Sequence, residues 1–135
     1  MDGKLEATML WTYGKIKQAI QSMDGHSNTK VSVGNRIQAN NDDEVIVVQQ
    51  NHNVDLMPGG SVKHTFGIEA HCFSKSYTEA AKMSDKVFGA FHQQQYIDGS
   101  TDTHSFPTSQ DMYYTDQDDF AAITLVNVIV VQENV

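Results

Sequence analysis

The stretch Val62–Phe91, VKHTFGIEAHCFSKSYTEAAKMSDKVFGAF, changes its hydrophobic period once and abruptly. From Val62 to Cys72 every second position is small or apolar (Val62, Phe66, Ile68, Ala70, Cys72), with only His64 out of place. Lys63, Thr65, Glu69 and His71 take the other side. That alternation predicts a half-buried strand. After Phe73 the period becomes helical: Tyr77, Ala80, Ala81, Ser84, Val87, Phe88 and Phe91 fall on one stripe, with Glu79, Lys82, Asp85 and Lys86 opposite. Ser76 followed by Glu79 marks the joint. The serine oxygen can accept from the Glu79 amide while the carboxylate reaches back to the serine amide, a capping box. A long strand therefore feeds a packed helix with almost no loop between.

Working outward, Lys4 to Met23 carries a second helical stripe, Leu5, Met9, Trp11, Tyr13, Ile16, Ile20 and Met23, ended by Asp24 and Gly25. Val31, Val33 and Ile37 suggest a short strand interrupted at Gly34 and Asn35, and Asn40 to Glu44 reads as a solvated turn. Val45 to Gln49 is a compact β-branched run, hence a strand. Asn51 to Ser61 reads as a loop whose Pro58, Gly59 and Gly60 turn the chain back, making the Val45 and Val62 strands antiparallel neighbours. From His92 to Asp119 the pattern dissolves into loop, apart from a short strand at Asp111 to Thr115. A loop of that length in a small domain points to function or to ordering by a partner. Phe120 to Val131 is apolar on both sides, with Ala122, Val126, Val128 and Val130 on one and Ile123, Leu125, Ile129 and Val131 on the other. Such a strand is central or covered twice.

These elements predict one α+β domain spanning residues 1–135, a mainly antiparallel sheet of about four strands with two helices on one face. Two helices leave the second face, or an edge, to another subunit.

The formal net charge of −8 excludes gripping a nucleic-acid backbone or an anionic membrane, both of which need clustered Lys and Arg. A single cysteine, Cys72, can form no internal disulfide, and its place on the inward strand face implies packing in a reducing compartment. The opening MDGKLEATMLW lacks the basic-then-apolar layout of a secretion signal, and no apolar run is long enough to span a bilayer.

No arrangement of residues carries catalysis. His26, His52, His92 and His104 stand in polar segments or at a helix end, and His64 and His71 lie on opposite strand faces, so no pair has metal-ligand spacing. DGSTDTH gathers Asp98, Asp102 and His104, which could meet a cation and would suit a small metal-dependent hydrolase, but the composition equally describes a solvated turn. Cys72 has no evident base beside it, no G-x-S-x-G elbow occurs, and Gly59 and Gly60 precede a strand rather than a phosphate-binding helix. A pocket between sheet and helices, as in a ligand-binding domain, is the other alternative. From Gly89 to Val135 there is no Lys or Arg, while Asp98, Asp102, Asp111, Asp116, Asp118, Asp119 and Glu133 accumulate. That excess fits either a solubilising loop or a wall past which a polyanion slides without sticking.

The whole pattern resembles the tail terminator, or tail completion, proteins of long-tailed bacteriophages. The likeness rests on the N-terminal helix LEATMLWTYGKIKQAIQSM, a strand ending VIVVQQ, the hairpin DLMPGG, the strand VKHTFGIEAHCFS, the helix SYTEAAKMSDKVFGAF with its Glu-Ala-Ala start, and the last strand ITLVNVIVV. It implies a non-enzymatic virion subunit at the tail–neck junction, assembled in the host cytoplasm without a cofactor, metal or membrane. Six copies would form a ring that caps the tail tube protein and meets the neck connector, with DNA passing through. A head completion protein or a tube subunit is the nearest related role. Under that resemblance Asp98, Asp102, Asp111, Asp116, Asp118 and Asp119 would face the lumen, Pro58, Gly59 and Gly60 would reach a neighbouring ring, and Ile123, Leu125, Ile129 and Val131 would lie at a subunit interface. The long Gln- and Asp-rich segment between Phe91 and Phe120 departs from the simplest pattern.

Overall fold

The computed structural model describes residues 4–34, 43–98 and 101–133. The elements run α1 (Lys4–Gln21), β1 (Lys30–Val33), β2 (Glu44–Leu56), β3 (Val62–Ser74), α2 (Tyr77–Phe91), β4 (Gln94–Asp98), β5 (Thr101–Tyr114) and β6 (Phe120–Gln132). The strands form one sheet in the order β1-β2-β3-β6-β5-β4. The β1–β2 pair is parallel and the others are antiparallel. The fold is α+β as expected, with six strands rather than about four. Ile37, Asn35 and residues 40–42 of the expected turn lie outside the described residues.

The extra strands come from the segment read as a loop, whose one expected strand, Asp111 to Thr115, is the end of the much longer β5. β4 and β5 form a hairpin, and β5 then runs fourteen residues along β6. Its inward positions near the hairpin, Thr101, Thr103 and Ser105, are small and polar, and Ser105 Oγ donates to the Phe91 carbonyl at 3.1 Å. Burial there is achieved without the apolar alternation that marks a strand in sequence. β2 likewise continues to Leu56, past the expected end at Gln49. Its second half is largely exposed, with Asn51, Asn53 and Asp55 on the outer side and His52, Val54 and Leu56 on the other.

The hairpin at Pro58–Gly60 joins β2 to β3, antiparallel as predicted. Gly59 has φ of +88°, a conformation that side chains resist, and the Met57 amide closes the turn on the Ser61 carbonyl at 2.8 Å. β2 shifts register between Gln49 and Asn51. Asn51 packs over Gly67 so closely that a Cβ there would meet Asn51 Oδ1 at 2.8 Å.

Half of the capping box forms. The Glu79 amide donates to Ser76 Oγ at 3.3 Å, but the Ser76 amide donates to Ser74 Oγ at 3.1 Å. The Glu79 carboxylate turns to His26, whose Nε2 lies 2.9 Å from Oε1. His26 is buried, its Nδ1 is 2.9 Å from Thr29 Oγ1, and it ties the segment after α1 to the start of α2. The His26 hydrogen bond, aided by Lys82, holds the Glu79 carboxyl below the ordinary carboxylate range.

Both helices cover one face. Thr8, Thr12, Ile16 and Ile20 of α1, spaced by four, are buried, as are Ala80, Met83, Ser84, Val87 and Phe91 of α2. Tyr77, expected on the buried stripe, is exposed and edges against Phe120. The core beneath is Val45, Val47, Phe66, Ile68, Ala70, Cys72, Ala122, Val126, Val128 and Val130. Within it Ser84 Oγ and Thr124 Oγ1 lie 2.6 Å apart, and Gln110 Nε2 donates to the same serine at 3.0 Å. Burial pushes the Cys72 thiol far up, which keeps it protonated and inert.

Candidate functional site

The face turned away from the helices is where the molecule offers a surface. β6 lies in the middle of the sheet, so alternate residues face opposite environments. Ala122, Thr124, Val126, Val128 and Val130 are buried under the helices, whereas Ile123, Leu125, Asn127, Ile129 and Val131 on the outer side remain partly exposed. The four large apolar residues form a row along the strand. It belongs to the centre of a face, not to an edge.

Mostly polar residues border the row, the exception being the exposed Phe106 on β5, level with Asn127. On β3, Lys63, Thr65, Glu69 and His71 stand level with Val131, Ile129, Leu125 and Ile123. Glu69 Oε1 accepts from Gln50 Nε2 at 2.6 Å and from His71 Nε2 at 2.9 Å. On β5, Asp102, His104, Ser109 and Asp111 stand level with Val131, Ile129, Leu125 and Ile123. A small cluster, Ile46, Phe73 and Ala121 with Val48 against it, closes one end of this face. An apolar row inside a polar border has the composition of an interaction surface.

The sequence-derived acidic residues part company. Asp102 accepts from Gln95 Nε2 at 3.1 Å and lies 3.1 Å from His104 Nε2, and the Gln95 bond, with His104, holds its carboxyl below the ordinary range. Asp102 and His104 do meet, but among the described residues no group of three or more His, Cys, Asp or Glu is disposed to hold a metal. The Asp98 side chain lies outside the described residues. Asp111 is exposed on β5, and Asp116 and Asp118 are exposed in the β5–β6 turn. Asp119 is buried at 3 % exposure and cannot line a channel from there. It accepts from Thr115 Oγ1, and the Thr115 amide donates to the Asp119 carbonyl at 2.8 Å, so it shapes the turn. Lys75 Nζ adds a bond to the Asp118 carbonyl at 2.8 Å.

Two histidines read as unrelated come together. His52 Nε2 and His64 Nδ1 are 2.9 Å apart, and the His52 ring stacks on Phe66 with centroids 4.2 Å apart. The apolar-face position of His64 was the only signal of this packing. On the helix side, a pocket of about 110 Å³ lies between α1 and the β4–β5 end of the sheet. Ala7, Trp11, Tyr96 and Val130 line it with three threonines, and none of these residues is charged. Among the described residues no helix is long and apolar enough to cross a membrane.

No family model matches this chain, and neither does any curated protein. Among solved structures, a chain of the virion of a native gene transfer agent particle is similar, with a TM-score of 0.48 and 12 % identity over 87 % of this chain and 91 % of that one.

Proposed function

We propose that this chain is a structural virion protein, the tail terminator of a long-tailed phage. Copies close into a ring, six in the simplest form, and ring closure caps the tail tube and offers a seat to the neck connector. The observation that carries this reading is the row Ile123, Leu125, Ile129 and Val131, partly exposed at the centre of a sheet whose other face is already covered. Burying such a row in an obligate assembly belongs with interfaces on the order of 2,000 Å² or more.

The acidic segment then serves the lumen. Asp111, Asp116 and Asp118 are exposed in a region without Lys or Arg, and like charges at a channel wall let DNA pass without adhering. Asp98 and Asp102 would extend the same wall toward the β4–β5 hairpin. Pro58, Gly59 and Gly60, at the exposed β2–β3 tip, would reach the adjoining ring. The chemistry is geometric, and no cofactor or reaction takes part.

Phage assembly without this protein tests the role directly. Tails imaged by electron microscopy should lose their defined length and fail to join heads, whereas tails of normal length attached to heads would overturn the reading.

A further inference from the structure

Both edges of the sheet are stepped. β4 pairs only with Thr101–Ser105 of β5, and β1 pairs only with Glu44–Val47 of β2. Among the described residues, the outer edges of β5 from Phe106 to Tyr114 and of β2 from Val48 to Leu56 therefore have no strand beside them. Open edges of this length template pairing with another chain, and proteins that avoid it place Lys or Pro there. Val48–Leu56 contains no Lys, Arg or Pro, and the β5 edge carries only Pro107, at its start, so Thr108–Tyr114 is left without any. The β1 edge differs: it is four residues long, begins with Lys30, and its Val31 carbonyl accepts from Tyr13 Oη at 2.8 Å.

We propose that the open half of β5 in one copy pairs antiparallel with the open half of β2 in the next, so that one sheet continues around the ring. This rests on the self-assembly proposed above and adds to the contact made by the outer face a second one, edge to edge, between neighbours in the ring. The two segments lie on opposite sides of the sheet and run in opposite directions, so copies placed side by side in the same orientation meet antiparallel.

Face continuity and charge select the register. Ser109, Asp111 and Tyr113 share the outer face, as do Asn51, Asn53 and Asp55, and a slip by one residue would put each on the wrong side. Pairing Tyr113 with Asn51, Asp111 with Asn53 and Ser109 with Asp55 keeps both faces continuous. A two-residue slip in one direction sets Asp111 against Asp55, which like charge disfavours. A slip in the other draws Pro107 and the irregularity between Pro107 and Ser109 into the ladder, where proline cannot donate. In the favoured register β1 of the next copy lies beyond the β5–β6 turn, and the Pro58–Gly60 tip lies toward β4, so the two steps interlock. Tyr113 is level with Glu44 of its own copy through β6 and β3. Neighbours are thus offset by about six ladder positions, from Phe73 to Gly67 on β3, roughly 20 Å along the strands, the kind of stagger that tilts strands in a closed barrel.

Paired cysteines test the register. Full-length Ser109→Cys/Asp55→Cys and Asp111→Cys/Asn53→Cys proteins should each give a disulfide-linked ladder of oligomers on mild oxidation, while Asp111→Cys/Asp55→Cys should not. Near-ultraviolet circular dichroism verifies the fold of each. As a second measurement, Asn53→Asp should raise the dissociation concentration about two- to fivefold per contact, and adding Asp111→Asn should restore it. Oligomers by light scattering without the register-specific ladder would overturn this pairing and leave the terminator reading standing. Protein that is monomeric at all concentrations and on tail tubes would overturn both.

Discussion

Strand β6 presents one sequence to two surroundings. Toward the helices, Val126, Val128 and Val130 are sealed by Ile68, Val87, Phe91 and their neighbours. Toward the outside, Ile123, Leu125, Ile129 and Val131 are just as apolar and remain partly uncovered. Both rows are built of β-branched and leucine side chains on the same strand, so propensity does not separate them. What differs is that this chain supplies two helices, enough for one face. The covered row stabilises the protomer, and the uncovered row has full value only when a further molecule arrives.

The largest expected contrast comes from truncating each side. Phe91→Ala, at the end of α2 and fully buried, should cost about 3–5 kcal/mol in urea unfolding, with assembly changed only through lost folded protein. Ile129→Ala should cost the protomer about 1 kcal/mol, yet raise the concentration needed for assembly at least tenfold by light scattering. Equal losses in both assays for both variants would erase the distinction.

Next in size is the buried hydroxyl pair. Thr124→Val takes from the Ser84 hydroxyl and carbonyl their partner on β6, and should cost about 1–3 kcal/mol in the same denaturation without moving the assembly concentration.

Acid dependence probes the covered side more gently. The Glu79 carboxyl is held low by His26, so its contribution to stability is present above the ordinary carboxylate range and is lost as pH falls through its lowered value. Glu79→Gln should therefore lower stability at neutral pH and flatten its decline toward pH 3, measured by thermal unfolding across that range. The smallest effect concerns Cys72: a thiol reagent should leave folded protein untouched and react with its one cysteine only after denaturant is added.

Much of the covered side was legible in sequence because there alternation and helical period coincide with burial. The joint at Ser76, the inward row of β3 and the two-sided β6 all follow from side chains that must leave water. β4, β5 before its expected Asp111 end and the end of β2 were not legible because they lie toward the edges of the sheet. There the buried positions accept Thr103 and Ser105, the exposed ones accept Asp, Gln and Asn, and no period emerges. The Asp102–His104 contact was readable from spacing, whereas the burial of Asp119 was not. Nothing in a run of aspartates distinguishes the one that folds back onto Thr115 from those that stay in water.

The mass of the particle formed by the pure protein bears most directly on the claim that identical copies cover the outer face. A chain of 15.0 kDa should shift, as concentration rises or tail tubes are added, to a single ring-sized species, about six copies, and Ile129→Asp should abolish that shift while staying folded. A mass of one chain under every condition, or a ring that forms unchanged with aspartate in the middle of that row, would contradict it.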